Sequence, residues 1–378
     1  MMRVYLDNAA TTPIDQEVLD VMTQTMASHY GNPSSTHLLG RKSKSLIETA
    51  RKNIAKHLNC TPGELVFTSG GTEADNMAIN CSVNHLGVRH IITSKLEHHA
   101  VGHTADNICD GKSVKLSCVN LDEKGHIDLQ HLEELLAGNS EKTLVSLMYA
   151  NNEIGNLLPA EEVSNLCRKY KAYFHSDTVQ SMAHYEYDLD QFEVDFITCA
   201  AHKFHGPKGV GFLYINKDVK ISPMIFGGAQ ERNMRGGTEN LHGIVAMSKA
   251  FDVAYRDLKA HRNHIEGLKQ YMIDQLKAKL DDVRFNGDSA NLDRSLYTVL
   301  STSLPKTEHS AMLLFHLDIL GICCSGGSAC SSGSNKGSHV LEGINADMER
   351  PAVRFSFSKY NTKEEIDYAV GQLVELYS

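Results

Sequence analysis

What this sequence does without narrows its class early. No apolar run approaches the ~18 to 20 residues that a membrane-crossing helix needs. The opening MMRVYLDNAATTP carries one Arg and no long apolar stretch, so a secretory signal is not expected either. A basic excess is also lacking: Lys and Arg number 37 against 46 Asp and Glu, a net charge of −9. That leaves no electrostatic footprint for nucleic acid. The nine cysteines are odd in number, scattered, and never spaced C-x-x-C. They predict reduced thiols in a cytoplasmic protein rather than a disulfide framework or a zinc ribbon. There are 8 prolines and no Pro-rich linker, internal repeat or low-complexity tract. Twenty histidines invite a metal reading, with His99 and His103 one helical turn apart and His202 and His205 flanking Lys203. No H-E-x-x-H pattern or third ligand accompanies them, so no resident metal is expected.

What is present alternates. Short β-branched or apolar runs at 64–69, 90–94, 113–119, 143–150, 172–177, 195–201 and 209–215 read as strands. Amphipathic segments such as TEADNMAINCSV and PAEEVSNLCRKY lie between most of them. This predicts an α/β domain with a mainly parallel seven-stranded sheet flanked by helices. GVGFLYI follows DFITCAA after a tight Gly/Pro segment, which allows one strand to run antiparallel. Residues 238–280 read as one or two long helices, and the remainder as a smaller α+β domain. The expected division is 14–260 for the large domain, with 1–13 and 261–378 forming the small one.

Four candidate sites fall at predicted strand ends, where open α/β sheets bind ligands. In VFTSGGTEADN a strand meets Gly70, Gly71 and Thr72 as a helix begins, which suits a phosphate and equally suits an ordinary Thr-capped turn. Asp177 and Gln180 lie in DTVQS, and Asn151 and Asn152 in NNEIG; singly, each also reads as a turn former. Lys203 sits between the apolar run DFITCAA and a Gly/Pro turn. Half-burial there would lower an ammonium's pKa toward what Schiff-base formation needs, against the plain reading of a surface lysine like Lys208. Together, a phosphate cup, an acid and such a lysine are the parts that hold pyridoxal phosphate.

At this point the chain resembles a family, the cysteine desulfurases of iron–sulfur cluster assembly, within the class V aminotransferase superfamily. The matching motifs run in order along nearly the whole chain: YLDNAATTP, YGNPSSTH, VFTSGGTEADN, KLEHHAV, NNEIG, DTVQS, AHKFHGPKG, RGGTEN, SGGSACSSGS and VRFSFS. The resemblance implies that Lys203 holds pyridoxal phosphate as an imine, that His98 stacks on its ring and assists proton transfer, and that Asp177 pairs with the pyridine nitrogen. It places Gln180 and Asn152 on the ring-hydroxyl side, and Gly71, Thr72 and His202 at the phosphate. Thr238 would reach the phosphate from a second subunit, implying a homodimer. Arg354 would clamp the substrate carboxylate beside Asn152. Two positions depart from the pattern: Ala200 stands where many members carry a Ser that bonds the phosphate, and Cys324 where an apolar residue is usual.

Cys330 matches the family's sulfur acceptor, on a long mobile Gly/Ser loop at about 324–337. The implied reaction takes sulfur from L-cysteine, leaving L-alanine and a persulfide on Cys330 for an acceptor such as an iron–sulfur scaffold. Cys330 could also ligate a transferred iron–sulfur cluster. The alternatives are a selenocysteine lyase, another class V aminotransferase-type enzyme, and a catalytically idle sulfur carrier.

Overall fold

The structure is a computed structural model and describes residues 2–110, 113–308, 310–326 and 337–377. Cys330, and most of the loop expected around it, lies outside the described residues. The chain opens with a two-residue strand, β1 (Val4–Tyr5), whose partner comes late. It then builds a sheet from β2 (Leu65–Thr68), β3 (His90–Thr93), β4 (Lys115–Cys118), β5 (Thr143–Ser146), β6 (Tyr173–Asp177), β7 (Phe196–Ala200) and β8 (Gly211–Ile215).

The spatial order is β2-β8-β7-β6-β5-β3-β4, and β8 alone runs against its neighbours, as GFLYI predicts. Every residue of β2, β3, β5, β7 and β8 is buried. Such strands need helices on both faces, which explains their unbroken apolar runs. Helices Gly71–His85 and His99–Cys109 pack together over one face, around Ala74, Ala78 and Val101. Val18, Ile47, Ile54, Met247 and Phe251 from other helices close the second face.

Two helices, Leu241–Arg256 and Leu258–Lys279, occupy the predicted long-helix stretch. Beyond them β9 (Arg284–Phe285), β10 (Val299–Ser303), β11 (Ile322–Cys323) and β12 (Ala352–Ser356) form two small sheets: antiparallel β12-β10-β9, and parallel β1-β11. A second core joins Val4 and Leu6 to Ile265, Met272, Leu300, Phe355 and Ile366. Both ends of the chain thus contribute to one apolar cluster. Among the described residues, no helix is long and apolar enough to cross a membrane.

Candidate active site

The carboxyl ends of the parallel strands open into one cleft of about 220 Å³. Its walls include Gly71, Thr72, His98, Asn152, Asp177, Gln180, Ala200, His202, Lys203 and Arg354. Thus ten of the twelve site residues read from the sequence are brought together. Thr238 is exposed and lies away from this cleft, and Cys330 lies outside the described residues.

The helix start after β2 is built for an anion. Gly70 caps helix Gly71–His85 with φ +153°, and among the described residues no side chain caps its first turn. Thr72 is therefore inside the helix rather than its cap. Four N–H groups at a helix start have no partner within the helix, and the dipole adds positive potential. At Gly71 the backbone passes so close to the loop after β6 that a Cβ would stand 2.8 Å from Val179 Cγ2. The methyl of Ala200, at the end of β7, faces the same spot, 3.7 Å from that virtual Cβ.

Lys203 follows β7 in a short 3₁₀ turn, half-buried, and its Nζ donates to the carbonyls of Ala9 (2.5 Å) and Ala10 (3.0 Å). Gln180 Nε2 donates to the same Ala9 carbonyl at 3.0 Å. YLDNAATTP thereby supplies the floor that orients the amine. Behind the lysine, a ring nitrogen of His184 lies 3.3 Å from the Lys203 carbonyl, and its other nitrogen 2.9 Å from the Tyr297 hydroxyl.

Asp177 ends β6, is 5% exposed, and accepts a hydrogen bond from Val179 N. Burial, reinforced by the neighbouring Asp75, pushes its carboxyl up to about 7. His98 caps the helix after β3, and its Nδ1 accepts from Ala100 N at 3.1 Å. Burial, then the charge of Lys203, hold His98 down to about 4, so its imidazole is neutral near pH 7. His202 is likewise held to about 4, chiefly by burial, and its Nδ1 contacts Thr11 Oγ1 at 3.2 Å.

Arg354, in β12, crosses to the other side of the cleft. It is 2% exposed, with Nη2 on Asp7 Oδ1 (2.9 Å), Nη1 on the Asn152 carbonyl (2.9 Å), and Nε buried with no partner. Among the described residues that buried N–H has no acceptor, which costs about 1 to 3 kcal/mol. Asn151 builds the local turn instead, its Oδ1 accepting from Glu153 N and Ile154 N.

Sequence reasoning passed over three residues here. Asp75 lines the cleft at 1% exposure, pushed up to about 7 by burial, with His175 Nε2 3.4 Å from its Oδ1. His175 is fully buried between Ser146 and Thr198. Asp7 holds Arg354. Asp75 stands one helical turn after Gly71 on the same helix face, but that spacing marks no acid as a site residue until the sheet beneath the helix is known.

The aminotransferase class-V family matches residues 4–369. The cysteine desulfurase IscS of Dictyoglomus turgidum is 41% identical over 374 residues, spanning 98% of this chain and 93% of that protein. The putative cysteine desulfurase IscS 1 of Bacillus subtilis is 39% identical, over 100% of this chain and 99% of its own. A solved NifS-like protein superposes with a TM-score of 0.91 at 36% identity, covering 100% of this chain and 99% of that one.

Proposed function

The chain belongs to the class-V aminotransferase family, and from that premise we propose that it is a cysteine desulfurase, acting on L-cysteine with pyridoxal phosphate as cofactor. The observation that carries this reading is a single cleft into which Lys203, Asp177, an uncapped helix start and Arg354 all open.

The residues present fit that cofactor. A phosphate needs donors with no competing cap, and the turn at Gly71 and Thr72 offers them, with His202 beside it. Lys203 is the amine for the aldehyde, Asp177 the acid for the pyridine nitrogen, and Gln180 and Asn152 serve the hydroxyl side. When bound, pyridoxal phosphate supplies an electron sink for the carbons of the amino acid. Arg354, which lines the cleft, takes the substrate carboxylate with its guanidinium fork. Because His98 Nδ1 accepts from Ala100 N, the neutral ring carries its proton on Nε2 and can donate a hydrogen bond there. The Cys330 thiolate attacks the substrate sulfur: an S–S bond forms and the C–S bond breaks. The electron pair stays on carbon, a proton joins it, and alanine leaves. One turnover without reductant should release one alanine per persulfide on the Cys330 peptide. Alanine without persulfide, or neither, would reject the reading.

A homodimer belongs to the same proposal. It is supported by Thr238, exposed and away from the cleft, and by exposed Tyr30, Leu38 and Phe226, the last 83% accessible. The division into 14–260 and 1–13 with 261–378 is supported by the second core, which joins Leu6 to Phe355. We assign delivery of the sulfur to an acceptor protein such as an iron–sulfur scaffold, in the cytoplasm.

A further inference from the structure

Asp7 Oδ1 accepts two hydrogen bonds from distant parts of the chain. Ser325 Oγ donates at 2.7 Å across 318 positions, and Arg354 Nη2 at 2.9 Å across 347. Ser325 and Arg354 are also joined directly, as an isolated antiparallel bridge: Arg354 N donates to Ser325 O at 2.6 Å, and Ser325 N to Arg354 O at 3.3 Å. Ser325 is 8% exposed and stands five positions before Cys330 in the sequence. Among the described residues, the other guanidinium hydrogen bond goes from Nη1 to the Asn152 carbonyl, and Nε has no partner.

From this geometry we infer that Asp7 is a positioning residue that ties the substrate-carboxylate fork of Arg354 to Ser325, so that occupancy of the fork is felt by the chain leading to Cys330. The inference rests on the proposed role of Arg354. Two donors on one carboxylate oxygen compete for the same electron density, so each bond weakens the other. A carboxylate arriving at Arg354 draws the guanidinium charge toward itself and loosens its hold on Asp7. The Ser325–Asp7 bond then tightens, and with it the anchor of the following segment. A half-buried charge-assisted hydrogen bond is strong enough for this to matter, and the link is short: one carboxylate and one hydroxyl.

The test uses the holoenzyme and L-alanine, which carries the carboxylate and has no sulfur to transfer. Binding is followed by the holoenzyme's absorbance, and Cys330 reactivity by iodoacetamide labelling with peptide mapping. In the unaltered protein, saturating L-alanine should change the Cys330 labelling rate by about fivefold, the low end of ordinary coupling between sites. Ser325→Ala and Asp7→Asn should bind L-alanine yet respond by less than about twofold. Ser325→Thr, which keeps the hydroxyl, should restore the response. An unaltered response in Ser325→Ala would overturn the inference, as would L-alanine binding to the natural protein without any response. Separately, L-alanine binding that survives Arg354→Ala at full strength would remove the carboxylate role of Arg354, and the inference with it.

Discussion

The carboxyls of Asp75 and Asp177 lie within 4.8 Å of one another and of a His98 ring nitrogen, both acids at most 5% exposed. Burial raises both to about 7, and at Asp177 the charge of Asp75 adds to it. A bound pyridinium would supply the missing positive charge.

A pH-dependent stability difference is therefore expected in the cofactor-free protein. A carboxyl raised from 3.8 to about 7 stabilises the fold below its unfolded pKa, and that contribution is lost as pH rises through 7. Asp177→Asn removes it. The stability of the variant relative to the natural chain should thus grow between about pH 5 and pH 8, by on the order of 2 kcal/mol. The imidazoles held near 4 by burial, among them His98, His175 and His202, act with the opposite sign but cancel in the difference. Urea unfolding at the two pH values measures it, and a flat difference would refute it.

Lys203 should carry the cofactor. Borohydride reduction followed by peptide mapping should place the pyridoxyl group on Lys203. Lys203→Ala should lose the bleachable colour and reduce alanine release to background. A label on Lys208 would sink the assignment.

Ala200→Ser should strengthen phosphate retention. Its methyl already faces the Gly71 turn, so a hydroxyl there gains a charged acceptor. The gain is at most about 1.5 to 3 kcal/mol, read as slower cofactor loss on dialysis. No change would mean that another group already fills the position.

Cys330→Ser should bind pyridoxal phosphate and L-cysteine normally and release essentially no alanine, because a hydroxyl cannot replace a thiolate attacking sulfur. Cys324 is the control. It packs against the second core, and burial, then the charge of Asp7, push its thiol far above the ordinary range. Cys324→Ser should keep most activity, and the reverse pattern would overturn the assignment.

Much of this cleft was legible because it is local. A continuous apolar run announces β7, and Lys203 is the first cation after it; the same logic reaches Asp177 at the end of β6. Asp75 was not legible, because an acid three residues after Thr72 looks like a solvated helix position until the sheet beneath it is known. Asp7 and Ser325 were hidden for another reason. Their meeting depends on β1 pairing with β11, and no periodicity in either two-residue strand foretells that.

That late pairing sets an order of assembly on the ribosome. Every strand of the large sheet has emerged by Ile215, so the helix start at Gly71 and the lysine at 203 have their neighbours early. β1 must wait for Ile322 and Cys323, and Arg354 for the last strand of all. Domains fold in the direction of synthesis where their contacts allow it. The nascent chain therefore completes the side proposed for a phosphate well before the side proposed for an amino acid, and β1 stays without its partner strand until β11 has emerged.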